Sequence, residues 1–208
     1  MSDHSQPTTA TDSPPLPEGR FGTIVADPPW TYTFSTRKTE AAGTGWHGSA
    51  QRHYSTMTFE EICALPIADM AADDCVLWLW AVNPMIHKGL ELVTRWGFEY
   101  RGLLTWAKTT KDGRKPAFGS GYWLRGATEQ VILATRGKPA HVRNQVTWFS
   151  APVGAHSAKP AAAYQIFETF SDGPRVDLFA RQTRPGWTTW GNDVQEAPLS
   201  LFDGIPTP

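Results

Sequence analysis

In the segment Thr23-Ile24-Val25-Ala26-Asp27-Pro28-Pro29-Trp30, a mostly apolar run is followed directly by a turn sequence. The first four residues are β-branched or small, as in a buried strand. The two prolines lack a backbone N–H, so the strand cannot continue through them. The segment therefore predicts a buried strand that presents the carboxylate of Asp27 at its carboxyl end.

Strands and helices alternate along the rest of the chain. A capping box formed by Thr58 and Glu61 begins a short helix. Asn83 caps a second helix that Gly97 ends, and Pro160 opens a third that runs through residue 170. The predicted strands are residues 23–26, 75–82, 98–108, 129–135 and 176–179. This alternation predicts an α/β fold with a largely parallel sheet.

The chain has 208 residues, of which 40% are hydrophobic and 19% charged, and this predicts one globular domain. We expect a disordered N-terminal tail at residues 1–19, a folded domain at 20–194 and a C-terminal tail at 195–208. The longest apolar run, residues 76–82, is far shorter than the ~20 residues that span a bilayer. No secretory signal is visible, so we expect a cytoplasmic protein without a membrane segment. Neither cysteines nor histidines have metal-ligand spacing, and no metal is expected.

The charges are unevenly distributed, although the net charge is only −1. Residues 57–99 contain seven acidic and two basic side chains, whereas residues 101–143 contain nine basic and two acidic ones. A polyanion would bind the second stretch in preference to the first, although such a stretch is also compatible with a solvated face.

Residues 43–48 read Gly-Thr-Gly-Trp-His-Gly and match the letters of the dinucleotide-binding fingerprint. That fingerprint requires a strand before it, a helix after it and small residues where the backbone meets the pyrophosphate. Polar loop sequence flanks residues 43–48, and the bulky Trp46 stands where the fingerprint requires the backbone to stay open to the pyrophosphate. We therefore interpret the segment as a loop rather than a nucleotide site.

The turn after the first strand has the groups needed to bind a planar ligand that carries an NH₂ group. Asp27 and the carbonyl of Pro28 can each accept an amine hydrogen, and Trp30 can stack on a ring. The carboxyl end of a strand is also where open α/β sheets bind ligands. A plain tight turn is the alternative explanation for the two prolines.

A series of motifs accompanies this turn in order along the chain. They are His53-Tyr54-Ser55-Thr56-Met57, Leu77-Trp78-Leu79-Trp80, Trp96-Gly97-Phe98, Trp106-Ala107-Lys108-Thr109, Gly121-Tyr122-Trp123-Leu124-Arg125, His156-Ser157-Ala158-Lys159-Pro160, Asp177-Leu178-Phe179-Ala180-Arg181 and Trp190-Gly191-Asn192. With Asp27-Pro28-Pro29-Trp30, they resemble the MT-A70 family of adenine-N6 methyltransferases over roughly residues 21–193. The resemblance implies a Rossmann-like, S-adenosylmethionine-dependent fold with a mostly parallel sheet. The motif order is permuted, so that the catalytic strand precedes the cofactor strand.

The resemblance also assigns the site residues. The catalytic residues are Asp27, Pro28, Pro29 and Trp30. S-adenosylmethionine is held by Asp27, Lys159, Arg181, Asn192 and Asp193. The target base is contacted by Trp30, Tyr54, Trp123, Arg125 and Glu129. Thr183, Arg184 and Asp193 depart from the pattern of the mRNA-methylating member of the family, and no contacts are assigned to Thr183 and Arg184.

The implied reaction is transfer of a methyl group from S-adenosylmethionine to the N6 amine of adenine in nucleic acid. DNA is favoured over RNA, because the chain reads as a bare catalytic domain and resembles the prokaryotic members. Three alternatives stay open: RNA adenine methylation, methylation of a protein amide or small molecule, and an inactive subunit that binds nucleic acid. Residues 198–202, Pro-Leu-Ser-Leu-Phe, resemble the peptide that docks bacterial DNA enzymes on the sliding clamp. The same residues could instead pack on their own domain.

Overall fold

The computed structural model describes residues 14–31, 56–119, 123–154, 158–192 and 194. Seven strands form one sheet within these residues: β1 Phe21–Ala26, β2 Ala71–Ala81, β3 Glu99–Thr109, β4 Thr128–Arg136, β5 Trp148–Pro152, β6 Arg175–Leu178 and β7 Thr188–Trp190. The α-helices are α1 Phe59–Cys63, α2 Ile67–Met70, α3 Ile86–Arg95 and α4 Ala161–Phe170, and a 3₁₀ turn at Asn83–Met85 precedes α3. No helix in the described part of the chain is both long and apolar enough to cross a membrane.

The strands lie in the order β5-β3-β4-β2-β1-β6-β7. Strand β1 pairs in parallel with β2 and with β6. Two further pairs are also parallel: β6 with β7, and β3 with β5. Strand β4 alone is antiparallel to its neighbours, β2 and β3. This arrangement confirms the predicted α/β class and the mostly parallel sheet.

Strand β2 divides the core into two layers, because its successive side chains point to opposite faces. Leu77, Leu79 and Ala81 pack with α1, α2 and α3 on one face. Trp78 and Trp80 pack with α4 on the other. The tryptophans at positions 78, 80, 96 and 106 are all buried.

The crossovers on either side of β1 leave the sheet on opposite faces. The connection from β1 to β2 runs through α1 and α2 on one face, whereas α4 leads into β6 on the other. Strands β1 and β6 are neighbours, so the chain reverses its direction of travel across the sheet at their carboxyl ends, and we call this place the crevice. Open α/β sheets bind their ligands at such a switch point.

Two local expectations have opposite outcomes. The Thr58–Glu61 capping box is present, with both reciprocal hydrogen bonds. The prediction that Asn83 caps α3 is wrong, because α3 begins at Ile86. Asn83 Nδ2 instead donates to the Thr128 backbone oxygen at 3.3 Å and to Thr128 Oγ1 at 3.2 Å. Asn83 therefore ties the end of β2 to the start of β4.

The structure describes residues 14–19 of the expected N-terminal tail and none of the expected C-terminal tail at 195–208. Part of the expected N-terminal tail packs against the domain, since Leu16 contacts the core and Trp190 Nε1 donates to the Pro14 carbonyl at 2.9 Å. The expectations for residues 1–13, residues 43–48, Tyr54, Asp193 and residues 198–202 fall outside the described residues.

Candidate active site

Hydrogen bonds on both sides fix the turn that carries Asp27. The Asp27 backbone N–H donates to the Leu178 carbonyl of β6 at 3.3 Å. The Met57 N–H, just before α1, donates to the Pro29 carbonyl at 3.0 Å. The Pro28 carbonyl accepts the Trp30 N–H at 2.8 Å, which leaves it one lone pair for a ligand. These hydrogen bonds therefore hold the turn, and with it Asp27, in place at the carboxyl edge of the sheet.

A line of four alternating charges runs from this turn across the sheet. Lys159, just before α4, lies with its Nζ 3.3 Å from Asp27 Oδ1 and also pairs with Glu129 Oε1. Lys108 Nζ on β3 lies 2.9 Å from the other oxygen of Glu129, Oε2. The Asp27 side chain is 25% exposed, whereas Lys159 and Glu129 are only 10% and 8% exposed. The structure thus brings together three residues that the family resemblance assigned, and adds Lys108 to them.

Two indole rings lie beneath the two ammonium groups. Lys159 Nζ lies 4.6 Å from the Trp80 ring centroid and Lys108 Nζ lies 4.9 Å from that of Trp106. The two rings meet edge to face at 6.2 Å, and Trp106 Nε1 donates to the Ala151 carbonyl at 2.9 Å. Electron-rich ring faces attract cations, so each indole ring helps to hold the ammonium group that lies over it.

The cluster shifts the ionisation of its members in different directions. Burial raises the pKa of Asp27, and the opposing effect of Lys159 does not cancel it. Burial also acts to raise the pKa of Glu129, but Lys159 and Lys108 outweigh burial and lower it. Asp27 and Glu129 likewise overcome the effect of burial on Lys159 and raise its pKa. A further positive group beside Asp27 would therefore stabilise its charged form against the effect of burial.

A second buried polar contact, which was not predicted from the sequence, joins α4 to β6. Tyr164 Oη on α4 donates to Asp177 Oδ2 on β6 at 2.8 Å. Burial raises the pKa of Asp177 to about 7, against the opposing effect of the hydrogen bond from Tyr164. Arg184, to which no contact was assigned, lies with its guanidinium carbon 3.5 Å from the Tyr164 ring centroid. The one available signal was an acidic residue between the apolar residues of a predicted strand.

The exits of β6 and β7 carry the next two assigned residues. Arg181 follows β6 and lies close enough to Asp27 to favour its ionised form. Asn192, one residue beyond Gly191, is exposed after β7. A Cβ on Gly191 would lie 2.3 Å from the Ala180 carbonyl oxygen, so only glycine permits this close approach of the two exits. Phe179 adopts a φ of 61°, a conformation rare for a bulky residue, where the chain leaves β6.

Of the described residues assigned to the target base, Glu129 lies in the charged cluster, and the others have different surroundings. Trp30 is 6% exposed and packs in the core rather than presenting an open ring, so its stacking role stays a prediction. Trp123 is 89% exposed. Arg125 lies 3.9 Å from the Phe118 ring centroid and its Nε donates to the Gly119 carbonyl at 3.3 Å.

An exposed basic turn follows β3. The Thr110 N–H donates to the Lys115 carbonyl at 2.8 Å and closes the turn. Lys111, Arg114 and Lys115 are exposed on it. Among the described residues, no group of three or more side chains is arranged to hold a metal ion.

Comparison with known proteins identifies relatives for almost the whole described domain. The MT-A70 family model matches residues 21–193. The chain is 30% identical over 202 residues to the Type II methyltransferase M.MunI of Mycoplasma sp, an alignment that covers 90% of this chain and 84% of that protein.

Two human proteins match over a smaller share of their own length. The N(6)-adenosine-methyltransferase catalytic subunit METTL3 of Homo sapiens is 29% identical over 182 residues, which cover 85% of this chain and 28% of METTL3. The N(6)-adenine-specific methyltransferase METTL4 of Homo sapiens is 30% identical over 191 residues, which cover 84% of this chain and 37% of METTL4. The chain thus spans most of M.MunI but well under half of either human relative.

Proposed function

The chain belongs to the MT-A70 family, and from this premise we propose that it transfers a methyl group to the N6 amine of adenine in nucleic acid. The observation that carries the proposal is the position of Asp27. Its carboxylate stands at the switch point between β1 and β6, on a fixed Pro-Pro turn and 3.3 Å from Lys159 Nζ. Open α/β sheets bind ligands at such a switch point, and a fixed carboxylate there can accept a hydrogen bond from an aromatic amine and orient it.

The groups around the crevice fit S-adenosylmethionine. A carboxylate whose pKa is raised by burial gains stability from a cationic ligand, and Asp27 has that property. Lys159 would hold the carboxylate of the methionine moiety, Asp27 its ammonium, and Arg181 and Asn192 the ribose hydroxyls. When bound, S-adenosylmethionine supplies an electrophilic methyl group on a positively charged sulfur.

The residues of the turn act on the acceptor amine. The N6 lone pair of adenine is delocalised into the ring, which makes the amine a weak nucleophile. By accepting the two amine hydrogens, Asp27 and the Pro28 carbonyl would orient the lone pair and stabilise the positive charge that develops on N6. Alignment of this kind supplies about 7–11 kcal/mol of a barrier. The proton is lost from N6 after transfer, so a strong base is not needed.

The basic turn at residues 111–115 supports a polyanionic substrate, because its three cations are exposed next to the strand that carries Lys108. We favour DNA over RNA, since one relative that is matched over most of both chains, M.MunI, is a Type II methyltransferase. A base in a duplex must be flipped out at a cost of a few kcal/mol. RNA stays the alternative substrate, because the human METTL3 match has nearly the same identity.

The direct test is labelling with tritiated S-adenosylmethionine. Single- and double-stranded DNA and RNA that lack prior methylation are incubated with the protein, and the labelled nucleosides are identified by mass spectrometry. We expect N6-methyl-2′-deoxyadenosine from DNA, and a matched polymer without adenine is the control. Label on RNA alone would change the substrate to RNA. Label on protein, or none from a folded protein that binds nucleic acid, would overturn the proposal.

A further inference from the structure

Glu129 is held from both sides, and only one of the two cations that hold it faces the ligand crevice. Lys159 takes Oε1 and also contacts Asp27, which stands at the crevice. Lys108 takes Oε2 at 2.9 Å from the opposite side. Lys108 is therefore separated from Asp27 by two charged side chains.

The sheet register fixes this arrangement. Glu129 lies on β4 directly across from Trp106 on β3. Lys108 is two residues further along β3, on the same face as Trp106, and its ammonium lies over the Trp106 ring. The lysine therefore reaches Glu129 from a neighbouring strand, with its ammonium held between a ring and a carboxylate.

The two lysines that pair with Glu129 differ in the number of other anionic partners that they have. In the proposed reaction, Lys159 has three anionic partners: Asp27, Glu129 and the carboxylate of the bound cofactor. When Lys159 turns towards the cofactor, it weakens its hold on Glu129. A carboxylate that is 8% exposed cannot stay ionised without a compensating cation, because burial disfavours its charge. Lys108 is the cation that remains.

We propose that Lys108 is a positioning residue for methyl transfer, which acts through Glu129 by keeping this carboxylate ionised and fixed in orientation while Lys159 serves the cofactor. The inference rests on the proposed function. It differs from two simpler roles for Lys108: a phosphate contact in the basic stretch, and a purely structural ion pair.

The test follows the ionisation of Glu129 and the rate in the same variants. Among the described residues, three groups on other elements face Glu129: Lys108 from β3, Lys159 from the segment before α4, and Asp27 from the end of β1. Lys108→Gln removes one of them, and Lys108→Arg keeps the charge. Lys88→Gln is the matched control, because Lys88 also pairs with a glutamate, Glu91, at 2.9 Å and also lies over a ring, that of Phe59.

Two measurements are made on each variant. The Glu129 carboxyl is titrated by carbon-13 NMR from pH 3 to 9, a range that extends below its ordinary pKa, and methyl transfer is measured in single turnovers over the same range at saturating substrates. An opposite charge within about 4–6 Å lowers a carboxyl pKa by about 1–3. We therefore expect Lys108→Gln to raise the Glu129 pKa and the acid limb of the rate profile together by about one unit or more. Lys108→Arg should restore both, and Lys88→Gln should change neither.

Other outcomes overturn the inference. A lower rate at every pH, with the pKa and the acid limb unchanged, would show a structural role. A higher KM and a smaller salt dependence of binding, again without a shift, would show a phosphate contact. A wild-type protein that methylates no adenine would refute the proposed function itself. The NMR titration distinguishes the two failures, since it reports the coupling of Lys108 to Glu129 without activity.

Discussion

The Asp27 carboxylate and the Lys159 ammonium lie 3.3 Å apart at the switch point of the sheet, although they are far apart along the chain. One follows β1 and the other precedes α4, and the pairing of β1 with β6 brings the two segments together. The pair places a positive and a negative group side by side in one crevice. A zwitterionic amino-acid moiety, such as that of S-adenosylmethionine, presents the complementary charges.

Replacement of Lys159 should first reduce cofactor binding. A hydrogen bond to a charged group contributes about 1.5–3 kcal/mol, so Lys159→Met should weaken the affinity for S-adenosylmethionine by about tenfold or more. Calorimetry measures the effect, and Lys88→Met is the control, because Lys88 pairs with Glu91 on its own helix. Unchanged affinity in a folded variant would show that Lys159 is only a partner of the two carboxylates.

The basic turn should determine substrate affinity. We expect the combined change Lys111→Glu, Arg114→Glu and Lys115→Glu to weaken nucleic-acid binding and to flatten its dependence on salt. Each lost phosphate contact lowers that slope by about one. Arg20→Glu is the control, since Arg20 pairs with Asp73 instead. The measurement is binding by anisotropy at several salt concentrations, and an unaltered slope would mean that the turn is only a solvated face.

Asp177 should make the stability of the protein fall as pH rises from about 4 to about 7. Its pKa is raised to about 7 in the folded state, whereas the unfolded chain releases the proton near the ordinary value of 3.8. Over this range the folded state binds more protons than the unfolded state, so each pH unit costs up to about 1.4 kcal/mol. The stability that Asp177 contributes is fully present below the unfolded pKa of 3.8 and is lost above the folded pKa of about 7.

Asp177→Asn removes this titration and keeps an acceptor for Tyr164 Oη. We expect the melting temperature of the variant, relative to wild type, to increase between pH 5 and pH 8. Asp172→Asn, an exposed change nearby in the chain, should leave the difference constant. Parallel curves for Asp177→Asn and wild type would contradict the assignment.

A methyl group at position 191 should disturb the cofactor side of the crevice. The Cβ in Gly191→Ala would lie 2.3 Å from the Ala180 carbonyl oxygen, which forces the exits of β6 and β7 apart. We expect a lower melting temperature and weaker binding of S-adenosylmethionine. Gly102→Ala is the control, because a Cβ there meets no atom within 4 Å. Equal behaviour of the two variants would exclude a role for the close approach.

The parts that sequence could predict are those with a local cause. The apolar run at Thr23–Ala26, the prolines that end it and the capping box at Thr58 depend on neighbouring residues, and the structure contains all three. Motif resemblance added the partners of Asp27. Strands β5 and β7 were not predicted, because they are short edge strands of five and three residues whose pairing is a property of the sheet.

The rest of the site depends on contacts between distant segments, which a single sequence does not specify. The Asn83 contact with Thr128 replaces the expected cap, because the start of β4 lies close enough to compete for the side chain. The hydrogen bond from Tyr164 to Asp177 joins a helix to a strand. The pairing of Lys108 with Glu129 depends on strand register. From the sequence we name Asn83, Lys108, Glu129 and Asp177, but we predict none of these contacts between them and other residues.

The most direct test of the account is the rate of methyl transfer by Asp27→Ala. The change removes the charged acceptor of the amine but leaves Pro28, Pro29 and the backbone contacts of the turn, so the fold should persist. Asp27→Asn keeps one acceptor oxygen and should be milder. Single turnovers at saturating S-adenosylmethionine and substrate measure the effect, with thermal melts as the folding control. We predict a loss of at least about 100-fold for Asp27→Ala, or roughly 2.7 kcal/mol. A folded Asp27→Ala protein that methylates adenine at nearly the wild-type rate would contradict the account.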